Sequence, residues 1–230
     1  EDWVETTIGA SVSLGVDESQ SRLWENHVGR SLAFWEGEFA NAAAALAPLA
    51  RSSPEAVFRA VNRVRRSLIR VEADEVTYPL HVAVRFEIER AISRGELKAA
   101  DLPAAWNESY ERILGISPPS DADGVLQDVH WSIGYLGYFP TYLIGSVYSA
   151  ALFDAYTAHA GGKDAVRDQF RAGDFAPLLT WLRKNVHEVG SLKLPAQVIA
   201  DATGRPAEGG IDTGPFVAYI QSKYRDLYDL

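Results

Sequence analysis

The stretch GVDESQSRLWEN, residues 15–26, sets Glu18, Arg22 and Glu25 at helical spacing among small polar residues. A carboxylate so placed can bind a metal ion as an oxygen donor. Residues three, four and seven apart share a helix face. Asp74, Tyr78, His81 and Arg85 do so, with Arg70 joining them if the helix is continuous. That stripe reads either as a solvated face or as groups lining a cleft. A third group lies in GVLQDVHWSIGYLGYFPTY, where His130, Tyr135, Tyr138 and Tyr142 sit around Gly124, Gly134 and Gly137 just before a helix. Glycines let a loop approach a ligand closely, and tyrosine hydroxyls can donate to a developing oxyanion. The alternative is an aromatic loop packed on a core, with His130 a satisfied hydrogen-bonder.

Metal ligands are scarce in these residues. The histidines are His27, His81, His130, His159 and His187, and no two lie four apart. HEVGS at 187 opens like the H-E-x-x-H zinc helix, but Ser191 stands where the second histidine belongs. Cysteine is absent, which excludes disulfides, thiolate catalysis and cysteine-ligated metal together. Glu18 therefore has no evident local zinc partner.

Composition bounds the rest. At 230 residues, 47% hydrophobic and 23% charged, the chain can bury a core, and it reads as one helical domain, 1–230. Its net charge of −9 argues against a nucleic-acid surface. No apolar run approaches the roughly eighteen residues of a membrane span, and a cytoplasmic protein is expected. There is no methionine, and EDWVETTIGA lacks the pattern of a signal peptide, so the expectation is a fragment, a processed product or a trimmed piece.

The elements that must position these groups are mostly α. A long helix is expected over about 18–39. Another is expected in RSSPEAVFRAVNRVRRSLIRVEADE, with Ser53 as cap, Pro54 in the first turn, and Val57, Val61, Val64 and Leu68 at helical spacing. Further helices are expected over about 76–93, over 101–115 from Asp101 to Gly115, and over 139–162 with Pro140 near the start and Gly161-Gly162 at the end. FAPLLTWLRKNVHEVG and PFVAYIQSKYRDLYDL complete the set, and ISPPSDADG is a loop.

Three long stretches carry a resemblance: SLGVDESQSRLWENHVGRSLAFW, LIRVEADEVTYPLHVAVRFEIERAI and GVLQDVHWSIGYLGYFPTYLIG. Together they resemble the carboxypeptidase Taq family of zinc metallocarboxypeptidases, in order and over almost the whole chain, through FAPLLTWLRKNVHEVGS and ATGRPAEGG. The resemblance implies a helical, neurolysin-like (gluzincin) metallopeptidase fold. It also implies an enzyme that releases C-terminal amino acids from peptides. It makes Glu18, in DESQSR, the third zinc ligand. His130 and Tyr138 become the pair that steadies the tetrahedral oxyanion. Arg70 becomes the group that grasps the substrate's C-terminal carboxylate, with Tyr142, His81 and Arg85 lining the cleft around the substrate, and Asp74 and Tyr78 positioning.

Two departures accompany it. The H-E-x-x-H helix, which would supply two zinc ligands and the general base, is not in this chain, so the chain corresponds to the C-terminal half of such an enzyme and is expected to be inactive alone. The family's histidine before the ligand glutamate is Asp17 here. A non-catalytic peptide-binding or scaffold descendant that has lost the metal is the alternative. A homodimer or a complementary N-terminal chain is the expected partner, because an uncovered half would expose apolar surface.

Overall fold

The computed structural model describes residues 5–206 and 210–230; the first four residues and the 207–209 part of ATGRPAEGG lie outside them. All regular structure among the described residues is helical. The chain forms two compact units, one of Glu1–Val61 with Ile144–Leu230 and one of Asn62–Leu143. No helix among the described residues is long and apolar enough to cross a membrane.

The first unit opens with α1 (Leu14–Arg22), capped by the Ser13 hydroxyl, which accepts from Val16 N. A π-helical stretch, Leu23–Gly29, follows, and then α2 (Leu32–Ala45). The single long helix expected over 18–39 is therefore broken. Ser31 breaks it: its hydroxyl donates to Val28 O at 2.7 Å and accepts from Phe34 N, ending one helix and capping the next. After α3 (Pro54–Val61) the chain leaves this unit and returns in α6 (Phe139–His159), which has Pro140 near its start and stops before Gly161 as expected. The remaining helices are α7 (Lys163–Arg171), α8 (Ala176–Asn185), α9 (Pro195–Thr203) and α10 (Gly214–Tyr228). Leu23, Val28, Leu152, Tyr156, Phe170, Leu178, Leu182 and Val198 form a core to which α6, α7, α8 and α9 contribute. Sequence reading missed α7 and α9, although Pro195 at the start and Gly204 just past the end mark α9.

In the second unit α4 (Tyr78–Ser93) packs on α5 (Leu102–Leu114) around Val84, Ile88, Trp106, Tyr110 and Leu114. Gly115 ends α5 in the left-handed conformation at φ 67°, which only glycine adopts without strain. The helix expected to run on from Ser53 stops at Val61, and residues 63–69 are irregular, so Val64 and Leu68 are not on it. Tertiary partners explain the difference. Leu68 O accepts from the Tyr110 hydroxyl and the Gln127 amide, and Arg65 N donates to Asp74, so this backbone is satisfied without a helical ladder. Asp74 also accepts from Val76 N, Thr77 N and the Thr77 hydroxyl at 2.8–3.0 Å, which sets the start of α4.

Candidate active site

Glu18 lies on α1, half-buried, with its Oε1 accepting from Arg22 Nε at 2.7 Å. Arg22 also pairs with Glu25, which in turn accepts from Arg30 at 2.7 Å. Glycine at 145 on α6 is what admits this carboxylate's stem: a Cβ there would stand 2.6 Å from both Cβ and Cγ of Glu18. Beside Glu18, Ser19 is fully buried and Gln20 Oε1 bonds His187 Nε2 at 2.9 Å. The histidine of the HEVGS decoy is thus a hydrogen-bond partner of the DESQSR motif. Burial and then Arg183 lower its pKa, so it is neutral at pH 7. Asp17 is exposed in the first turn of α1.

Glu18 offers one carboxylate oxygen without a hydrogen bond among the described residues, which fits a ligand of zinc. It is one donor and not a set. No group of three or more His, Asp or Glu side chains among the described residues could hold a metal ion.

The second unit gathers the other expected residues. Arg70, on a single helical turn, and Arg85, on α4, close from two sides on Asp128. Arg70 Nη2 meets its Oδ1 at 2.7 Å, and Arg85 meets its Oδ2 at 2.5–2.7 Å. Both arginines are buried. Gln127 Oε1 accepts from Arg70 N and from Arg85 Nη2, both at 2.8 Å, and Arg70 Nη1 donates to the Tyr78 hydroxyl. Asp74, Tyr78, His81, Arg85 and Arg70 are all buried, so the stripe is not a solvated face. Arg70 Nε and Nη2 both donate to Asp128, a carboxylate of the chain itself, while Nη1 goes to Tyr78. Arg85 and His81, expected to line the cleft, are fully buried as well.

His81 Nδ1 lies 3.1 Å from the Tyr110 hydroxyl, which already donates to Leu68 O. The pattern assigns the proton to Nδ1 and leaves Nε2 as a buried acceptor without a partner. Burial, with Arg85 and Arg70 adding to it against Asp74 and Asp128, pushes its pKa down to about 4, so it is neutral.

Above this network His130 is half-buried, and its Nε2 lies 2.9 Å from the Tyr142 hydroxyl. Tyr138 stands beside it with ring centroids 5.3 Å apart, and Tyr135 stacks on Tyr138 at 5.7 Å. Burial lowers the His130 pKa, and Arg70 and Arg85 lower it further against the pull of Asp128. The Tyr138 hydroxyl takes no hydrogen bond among the described residues. The structure therefore brings Arg70, His81, Arg85, His130, Tyr138 and Tyr142 into one unit, while Glu18 belongs to the other. Sequence reasoning left out Asp128, Gln127, Tyr110 and Glu89. The signal for Asp128 was present: two arginines on an apolar-rich segment require a carboxylate, and QDVH supplies one.

The family model described as carboxypeptidase Taq (M32) metallopeptidase matches residues 1–224. Thermostable carboxypeptidase 1 of Thermus thermophilus is 48% identical over 223 residues, which cover 97% of this chain and 42% of the relative. Carboxypeptidase 1 of Bacillus subtilis is 40% identical, with 97% and 43% covered. The crystal structure of the M32 carboxypeptidase from Deinococcus radiodurans superimposes with a TM-score of 0.89 at 45% identity, covering 97% of this chain and 44% of that one. The chain thus spans less than half the length of the curated relatives it matches. Such a match along nearly its whole length shows that the chain belongs to the carboxypeptidase Taq (M32) metallopeptidase family.

Proposed function

We propose that this chain is the C-terminal portion, a single helical domain, of a zinc-dependent metallocarboxypeptidase that releases C-terminal amino acids from peptides. Glu18 serves as one zinc ligand, and two histidines and a general base come from an H-E-x-x-H helix outside these residues. A zinc ion in such a site supplies Lewis acidity toward the scissile carbonyl. This chain's own part is to orient and to donate. Tyr142 holds the His130 ring, and His130 and Tyr138 are the groups assigned to steady the oxygen on which negative charge develops. Arg70, Arg85 and His81 enter as the floor beneath His130, with substrate touching Tyr142 above them. The observation that carries this reading is a half-buried histidine oriented by one tyrosine and flanked by a second whose hydroxyl is uncommitted.

We place the complete enzyme in the cytoplasm as a homodimer or a complex with a complementary chain. The exposed Leu126, Val129, Ile133 and Leu136 support association, and light scattering tests it.

The test of the reading is to join this chain to a segment carrying H-E-x-x-H, and to measure bound metal and release of C-terminal residues from N-blocked peptides. Zinc binding and hydrolysis, both lost in Glu18→Gln, support it. Metal binding without hydrolysis would overturn it; peptide binding with neither metal nor hydrolysis would favour the peptide-binding descendant, the reading that Asp17 beside Glu18 motivates.

A further inference from the structure

We propose that Glu89 is a positioning residue: it fastens the loop between Trp131 and Gly137 to α4 and so fixes where Tyr138 stands. The inference rests on the oxyanion role given to Tyr138 above.

Glu89 is 5% exposed, and a carboxylate so buried is costly unless something in the fold requires it. Its Oε1 gathers two donors, Trp131 Nε1 at 2.8 Å and Gly137 N at 3.1 Å, while Oε2 is buried without a partner. The two donors stand at the two ends of one loop. Between them Ile133, Tyr135 and Leu136 are exposed, so the middle of the loop has no apolar anchorage. The loop's backbone hydrogen bonds are local, such as Tyr135 N to His130 O at 2.8 Å and Gly134 N to Trp131 O at 3.1 Å. They shape the loop without tying it to the helix. Trp131 has a second hold through edge contacts with Trp106 and Phe139, but the Gly137 end has the carboxylate.

Position along α4 gives the same answer. Arg85 and Glu89 are one turn apart and share a face. Arg85 holds Gln127 and Asp128, just before His130; Glu89 holds Trp131 and Gly137, which flank the approach to Tyr138. Two successive turns of one helix thus grip the segment just before His130 and the loop that joins His130 to Tyr138.

The experiment compares Glu89→Gln, which keeps one acceptor oxygen for both donors, with Glu89→Leu, which keeps the volume and deletes the acceptor. In the 230-residue chain labelled with 5-fluorotryptophan, Trp131→Phe identifies the Trp131 resonance, and amide exchange reports on Gly137. The expected result in Glu89→Leu is a displaced Trp131 resonance with the others in place, and Gly137 exchange faster by about tenfold or more. Glu89→Gln should stay close to the parent on both readouts. In the completed enzyme Glu89→Leu should lower kcat with KM little changed, and Glu89→Gln should restore it. An undisturbed Trp131 resonance and Gly137 amide in Glu89→Leu would overturn the proposal. Should Glu89→Leu fail to fold, Glu89→Gln decides: parent-like signals support the acceptor role, and displaced signals refute it. If the completed parent enzyme cuts no peptide, the functional reading fails, while the resonance and exchange data still decide the role of Glu89.

Discussion

Arg70 and Asp128, 58 residues apart in the chain, meet at 2.7 Å in the buried floor of the candidate site, and Arg85 takes the other oxygen of the same carboxylate. One anion therefore serves two buried cations.

Removing that anion leaves both guanidiniums uncompensated. Asp128→Asn should destabilise the protein by about 3–5 kcal/mol, the usual cost of breaking a buried pair from one side. Urea unfolding at pH 7 measures it, and a loss under about 1 kcal/mol would sink this account. Burial raises the Asp128 pKa, but the hydrogen bond from Arg70 and the charges of Arg85 and Arg70 outweigh it and hold it below the ordinary carboxylate range. A depressed folded pKa means the contribution is present above the ordinary aspartate value and is lost as pH falls through the lower folded one.

Gly145→Ala sets two effects against each other. Alanine in a helix interior gains about 1 kcal/mol over glycine. The added Cβ, however, stands 2.6 Å from Glu18 Cβ and 2.9 Å from its backbone carbon, so the two helices must part. Overpacking of this kind costs about 1–3 kcal/mol, and the steric term should win. A thermal melt at or above the parent midpoint would show that the helices yield freely.

His27 gives an acid-sensitivity prediction. Its ring is buried between Phe153 and Tyr219, with centroids 4.7 and 4.1 Å away, and burial, with Lys223 adding to it, pushes its pKa from 6.5 down to about 3. The unfolded chain takes up this proton first. Stability is therefore full above about pH 6.5 and declines as pH falls toward 3, by a total on the order of 4 kcal/mol. His81 contributes with the same sign down to about 4. His27→Phe keeps the stacking and removes the proton acceptor, so its urea midpoint should fall less between pH 6.5 and 4.5 than the parent's. Parallel pH curves would refute the assignment.

Tyr138→Phe tests the proposed donor. In the completed enzyme it should lower kcat by about 10²–10³-fold, the range for one lost oxyanion donor, with KM little changed. Equal loss through KM would move Tyr138 from oxyanion stabilisation to ground-state binding of the peptide.

Local sequence was enough for the helical class and several helix ends, because these depend on neighbouring residues: the Ser53 hydroxyl accepting from Ala56 N, Gly115 closing α5, Gly161 beyond α6. It also carried the family, in three motifs legible without any structure. Tertiary structure decided where helical spacing would not be obeyed. Val64 and Leu68 have the right period for α3, yet the chain leaves the helix at Val61 because Leu68 O is claimed by Tyr110 and Gln127, 42 and 59 residues away. The same holds for the site. The partner of Arg70, Asp128, comes from another segment 58 residues on, and Glu89 meets its partners only when Trp131 and Gly137 fold onto it. Spacing fixes which face a side chain occupies; its partner across the fold fixes whether it binds a ligand or holds the protein that does.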